Sequence, residues 1–137
     1  NGMPGMSHSG AARSGMDNLT KTLAYEWGYA GVRVNSVAPG YIASSGLDTY
    51  DDGIIKEIIP KLKKIVPLKR MGTEAEVSAA VCFLLSEAAA YINGICIQVD
   101  GGSPLGSNFW PLKETKKHEP FDGFHLSKLP DALDGKL

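Results

Sequence analysis

The sequence predicts an α/β protein, a layered fold with a parallel sheet of which two strands and their helices are present. Three observations carry this expectation. Helical and extended patterns alternate, in the order helix, strand, helix, strand. Each connection between strands is long enough to cross over and return in parallel, in the right-handed sense. The second extended run, residues 95–99, is apolar on both faces apart from Gln98, as a covered parallel strand would be. Two parallel strands are too few for a stable sheet, so further strands are expected outside this sequence. The opening Asn-Gly-Met-Pro-Gly-Met points the same way, because it reads as a loop entered midway.

Residues 1–8 read as a Gly/Pro loop, and a helix opens at Ser9. Ala12, Met16, Leu19, Leu23 and Trp27 recur every three or four residues and predict one buried face. Gly28 and Gly31 bracket its end. Residues 32–38 form a short strand rich in valine, stopped by Pro39-Gly40. In the mixed stretch 41–66, Asp51 or Asp52 opens a helix. Its apolar face holds Ile54, Ile55, Ile58, Ile59 and Leu62, and Pro60 interrupts or kinks it. Lys56, Lys61, Lys63 and Lys64 lie around the other face as a solvated surface. Thr73-Glu74-Ala75-Glu76 is a capping box, in which each end satisfies a free backbone N–H of the other. Val77, Val81, Leu84 and Leu85 predict the buried stripe of the helix that follows. Asn93-Gly94 turns the chain into strand 95–99, and Asp100-Gly101-Gly102 ends it. Residues 1–105 are expected to form one structural unit. Residues 106–137, with Phe109, Trp110, Phe121 and Phe124, form a tail without sustained period that either wraps a neighbouring surface or is mobile.

Composition excludes several classes. A net charge of -1 over 137 residues supplies no field for nucleic acid or a membrane surface. No apolar run reaches the roughly 18 residues of a membrane span. The amino end lacks the basic start and apolar stretch of a signal peptide. Cys82 and Cys96 fall in apolar runs and are expected to be buried, reduced thiols. There is no CxxC or HExxH and the three histidines are scattered, so no metal site is expected.

Three stretches taken together resemble the short-chain dehydrogenase/reductase family. They are the run from Gly10-Ala-Ala-Arg-Ser-Gly-Met-Asp-Asn-Leu-Thr-Lys to Trp27; Val32-Arg-Val-Asn-Ser-Val-Ala-Pro-Gly-Tyr-Ile42; and Arg70-Met-Gly-Thr through Phe83-Leu-Leu to Val99-Asp-Gly-Gly102. The resemblance implies part of a doubly wound parallel sheet of the Rossmann type, its last two strands and their helices, with residues 1–105 as the carboxyl-terminal half of a dinucleotide-binding domain. It implies an NAD- or NADP-dependent oxidoreductase, with the cofactor across the carboxyl ends of the strands. No glycine-rich phosphate loop following a strand is present, and neither is the residue that separates NAD from NADP. By the resemblance, backbone groups of Pro39, Gly40 and Ile42 meet the nicotinamide carboxamide, and the Ser44 hydroxyl meets the carboxamide or a phosphate.

The family places Tyr and Lys four residues apart at the start of its active-site helix. Here Ser9 and Arg13 occupy those places, on one helix face. Arg13 is always charged and can donate to ribose. A Ser9 hydroxyl is a poor proton donor or acceptor near neutrality unless a base activates it. The neighbouring His8 is a candidate relay, and Asp17 is placed to hold the guanidinium in a helix-surface ion pair. The pattern His8-Ser-Gly-Ala-Ala-Arg13 resembles the atypical members that reduce acyl-CoA double bonds, the peroxisomal trans-2-enoyl-CoA reductases and their bacterial relatives. An enzyme reducing an enoyl-CoA-like small molecule is the expectation, with the lysines at 56–64 as candidates for CoA phosphates. An alcohol or aldehyde dehydrogenase acting on a terpenoid or aliphatic alcohol, and a non-catalytic oligomerising module, are the alternatives. The family implies a homo-oligomer, a tetramer in many relatives. The terminal Gly-Lys-Leu departs from the peroxisomal Ser/Ala-Lys-Leu address, so a cytoplasmic location is expected.

Overall fold

A computed structural model describes residues 5–49, 52–106, 113, 120 and 121. Three helices are formed, α1 (Ser7–Trp27), α2 (Asp52–Ile65) and α3 (Glu74–Leu85), with four short strands, β1 (Ser36–Pro39), β2 (Ile42–Ala43), β3 (Gly72–Thr73) and β4 (Cys96–Val99). β1 pairs with β4, and β2 pairs with β3. The chain divides into two compact units, Asn1–Ala38 with Ala80–Gln98 and Pro39–Ala79 with Val99–Leu137. Among the described residues no helix is long and apolar enough to cross a membrane.

In the first unit, α1 starts two residues before Ser9, where the Gly10 N–H donates to the Met6 carbonyl. It ends in a tighter turn, Gly28–Ala30, closed by Gly31 at φ 77°, a left-handed conformation that glycine takes without penalty. The buried face differs from the expected one. Thr20 and Ala24 are buried, whereas Ala12, Met16, Leu19 and Trp27 are exposed and Leu23 is half-buried. The reason is close approach. A Cβ on Gly94 would lie 3.3 Å from the Ala24 Cβ, so the face that meets the 93–94 turn has to be small. The Thr20 hydroxyl donates back to the Met16 carbonyl at 2.8 Å and is buried without loss.

The first strand is shorter than expected, because side chains take the place of ladder bonds over residues 32–35. The Val34 N–H donates to Asn93 Oδ1 (2.8 Å), and Asn93 Nδ2 donates to the Ala24 carbonyl (2.9 Å). Asn35 donates to the Ile92 carbonyl (2.9 Å) and accepts from the Ile95 N–H (3.1 Å). Arg33 donates to the Leu84 (2.7 Å) and Ile92 (3.3 Å) carbonyls, which lie at and beyond the end of α3. Bonds from the Ser36 N–H to the Ile95 carbonyl and from the Gly40 N–H to the Val99 carbonyl advance together along β1 and β4, the mark of parallel pairing.

β4 is not covered on both faces. Cys96 and Gln98 are exposed and Ile97 and Val99 half-buried, so it alternates like a strand with one open face. Both cysteines are exposed and outside any disulfide, contrary to the burial expected from their apolar neighbours. On α3, Leu84 is buried and Val77 half-buried, but Val81 is exposed and Leu85 is 79% exposed. Spacing defines a stripe; it does not supply something to cover it.

The second unit has a small core of Ala43, Ile59 and Met71, with Tyr41, Leu47 and Leu62 packed against it. α2 runs unbroken through Pro60, which is exposed, while Ile59 and Leu62 hold the helix on the core. A proline there removes one backbone bond, and burial on either side offsets the loss. Lys56, Lys61 and Lys64 are exposed, and Lys61 pairs with Glu57 one turn away. Asp51 and the side chains of Ile54, Ile55, Ile58 and Lys63 lie outside the described residues. β2 and β3 pair in parallel, Ile42 opposite Gly72 and Ala43 opposite Thr73. The sequence did not announce this pair, because two residues are too short to show a period of two.

Candidate functional site

Ser9 and Arg13 lie one turn apart near the start of α1, Ser9 half-buried and Arg13 exposed. Arg13 Nε donates to Ser9 Oγ at 3.2 Å. The expected Arg13–Asp17 pair is not formed. Helical side chains lean toward the amino terminus, so the guanidinium reaches back to position 9. His8 is exposed and makes no hydrogen bond to Ser9, so no relay through it is formed here. The pair has a definite chemical character. Ser9 accepts from a permanent cation, which polarises its O–H as a donor. The guanidinium cannot take a proton from it.

The other site residues belong to the second unit. Pro39 closes β1 and is exposed. A Cβ on Gly40 would lie 2.7 Å from both Cα and Cβ of Asp100, so any other residue there collides with the backbone. Gly40 is therefore fixed by close approach as well as by the turn. Ile42, half-buried in β2, lays its Cδ1 over Gly72, 2.7 Å from where a Cβ would stand. Ser44 follows β2, half-buried. Its carbonyl accepts from the Leu47 N–H (3.0 Å), and its hydroxyl has no partner among the described residues. The strand pair thus presents a fixed turn, an apolar side chain and an available hydroxyl in succession.

Behind this pair lies a polar node that the sequence showed only in part. The capping box forms as expected: the Thr73 N–H donates to Glu76 Oε2 (2.9 Å) and the Glu76 N–H to Thr73 Oγ1 (3.3 Å). Arg70 adds a forked pair, Nη1 to Oε2 at 2.9 Å and Nη2 to Oε1 at 2.6 Å, largely shielded from solvent. Partial burial of Glu76 opposes its ionisation. The bonds from Arg70, the Thr73 N–H, the Arg70 charge and the Phe121 N–H outweigh it and hold the carboxyl below its ordinary value. Arg70 three residues before a capping-box threonine, with the glutamate three after, was the signal available in the sequence. Among the described residues no group of three His, Cys, Asp or Glu side chains is placed to hold a metal.

Residues 1–103 match the model of the family described as Enoyl-(Acyl carrier protein) reductase. The chain belongs to the short-chain dehydrogenase/reductase family. It is 44% identical over 103 residues to a probable 2,4-dienoyl-CoA reductase of Bacillus subtilis, covering 74% of this chain and 40% of that protein. Among solved structures it resembles a citronellol catabolism dehydrogenase of Pseudomonas aeruginosa, at 55% identity and a TM-score of 0.58 over 74% of this chain and 37% of the other. A putative 2-deoxy-D-gluconate 3-dehydrogenase from Agrobacterium tumefaciens, solved with bound NADP, matches at 37% identity and a TM-score of 0.59 over 70% and 38%. The fold is therefore α/β of the Rossmann type, as its alternating elements predict. The chain spans about 40% of the length of these relatives.

Proposed function

We propose that this chain is the carboxyl-terminal, nicotinamide-side part of an NAD(P)-dependent oxidoreductase that reduces an enoyl thioester such as an enoyl-CoA. The observation that carries the reading is the Arg13-to-Ser9 bond at 3.2 Å. A serine backed by a guanidinium can donate a hydrogen bond to a thioester carbonyl, but the pair contains no base. Polarising the thioester carbonyl needs only the donor; once hydride reaches the β-carbon, the α-carbon of the resulting enolate takes its proton from solvent water. Oxidising an alcohol needs a group that accepts its proton. The match to the enoyl-(acyl carrier protein) reductase family and the likeness to the Bacillus dienoyl-CoA reductase support an enoyl substrate.

The family resemblance supports reading the second unit as the nicotinamide side. Asp100 occupies the space where a Cβ at Gly40 would stand, which fixes the turn, and the Ser44 hydroxyl would bond a carboxamide or phosphate. Pro39, Gly40, Ile42 and Ser44 would hold the cofactor; by the family resemblance, Arg13 is separately a candidate for a ribose contact. When bound, the nicotinamide supplies the hydride. Cytoplasmic location and a homotetramer complete the proposal; the exposed Met16, Leu19, Tyr25 and Trp27 on α1 are apolar surface of the kind that a second copy covers.

Oxidation of a terpenoid alcohol is the second reading, favoured by the likeness to the citronellol catabolism dehydrogenase. The natural polypeptide is to be assayed with NADH or NADPH and a 2-enoyl-CoA, and in parallel with NAD(P)+ and citronellol. Turnover of the thioester is expected, with Ser9→Ala lowering kcat about tenfold or more and Arg13→Ala raising the KM for dinucleotide. Good turnover of the alcohol with none of the thioester would sink the first reading.

A further inference from the structure

The family match ends at residue 103, yet a residue well beyond it engages the node behind the candidate site. Thr73 Oγ1 donates to the Phe121 carbonyl at 2.6 Å, and the Phe121 N–H donates to Glu76 Oε1 at 3.4 Å. One residue thus uses both of its main-chain polar groups on a single capping box, as a peptide does when it docks on an edge through its backbone. The Phe121 side chain is 44% exposed, and both of its main-chain polar groups are engaged. Thr73 is buried, and its hydroxyl is fully used: the proton goes to Phe121 and a lone pair accepts the Glu76 N–H.

The place of attachment gives it consequence. Thr73 pairs in register with Ala43, which stands between Ile42 and Ser44. β2 and β3 are two residues each, and so short a pair is marginal by itself. Its persistence depends on what is fastened to it. We propose that the segment at Pro120–Phe121 is a backbone strap, which locks the β2–β3 register through Thr73 and so positions Ile42 and Ser44 for their ligand. The clause about the ligand rests on the nicotinamide-side reading above; the strap itself does not. Phe121 and Thr73 are positioning residues, since they act through the strand pair.

The experiment is hydrogen–deuterium exchange on the natural polypeptide, read at Gly72, whose N–H donates to the Tyr41 carbonyl at 2.9 Å, and across residues 41–44. Phe121→Pro removes the strap's N–H and leaves the capping box intact. It is expected to speed exchange at these amides about five- to tenfold, the scale of one net hydrogen bond, with far-ultraviolet circular dichroism unchanged. Thr73→Val, which removes both roles of the hydroxyl, is expected to do the same or more, and Thr73→Ser to restore protection. Unchanged exchange in Phe121→Pro, or failure of Thr73→Ser to restore it, overturns the strap. The KM for NADPH separates the two ideas. Faster exchange with a raised KM and steady kcat supports both. Faster exchange with an unchanged KM supports the strap and overturns the cofactor role of Ile42 and Ser44.

Discussion

In the unit built on α1, Asn93, Asn35 and Arg33 reach across 51 to 69 residues of sequence to bond backbone groups. In the unit built on α2, the forked pair from Arg70 to Glu76 and the bonds of Phe121 to Thr73 and Glu76 form one node, and a small apolar core lies beside it. The first unit buries little: Ala24, Leu84 and Ala89 are its buried apolar residues, while Tyr25, Tyr29, Leu85 and Tyr91 are exposed. The second buries Ala43, Ile59, Val66, Met71 and Ala75. One unit is tied by side-chain amides with apolar surface left open; the other is packed. An amide that reaches a backbone group fixes geometry without burying area. The two units should therefore respond differently to substitution.

Met71→Ala is the largest expected effect. Met71 is 2% exposed within the core, and truncating such a side chain costs about 2–5 kcal/mol. Urea unfolding of the natural polypeptide measures it, and a loss under 1 kcal/mol would mean that the core is not what holds this unit. Next comes Glu76→Gln, which weakens the forked bonds to Arg70 and is expected to cost about 1.5–3 kcal/mol near neutral pH. Its pH dependence is the sharper check. The folded carboxyl lies below its ordinary value of 4.5, so its contribution is present above that value and is lost as pH falls through the folded pKa. Glu76→Gln should flatten stability against pH below about 4.5; an unchanged acid limb would remove the node from that account.

Asn93→Ala breaks the bonds to Val34 and Ala24 and is expected to cost about 1–2 kcal/mol, with exchange at Val34 rising before that at Gly72. Uniform loss in both units would show that they do not differ in the way described. Lys61→Ala is the smallest. Its pair with Glu57 is solvated on both sides, and no measurable change in the urea midpoint is expected.

Particular residues show how far the sequence reached. The capping box was legible because its spacing is local and its partners lie three residues apart. The Gly31 and Asn93-Gly94 turns were legible because few residues take those conformations. Ser9 and Arg13 were placed together by helical spacing, and their bond bears that out. The Arg13–Asp17 pair failed, since spacing gives two neighbours and the lean of the side chain selects one. Arg70 at Glu76 was missed although only six residues separate them, because the capping box already accounted for the glutamate; Phe121 was missed because a contact across 45 residues has no periodic trace.

The sequence by itself determined the alternation of helix and strand, the local caps and the turns, since these depend on neighbours within a few residues. Tertiary structure alone decided which face of α1 is buried, where β1 begins, that β2 and β3 exist, and that Cys82 and Cys96 are exposed. In each case the deciding partner is distant in the chain. Hydrophobic spacing declares that a face is available to bury, but burial requires a surface that fits it. Opposite Ala24 the fit is to the 93–94 turn, where only a small side chain leaves room.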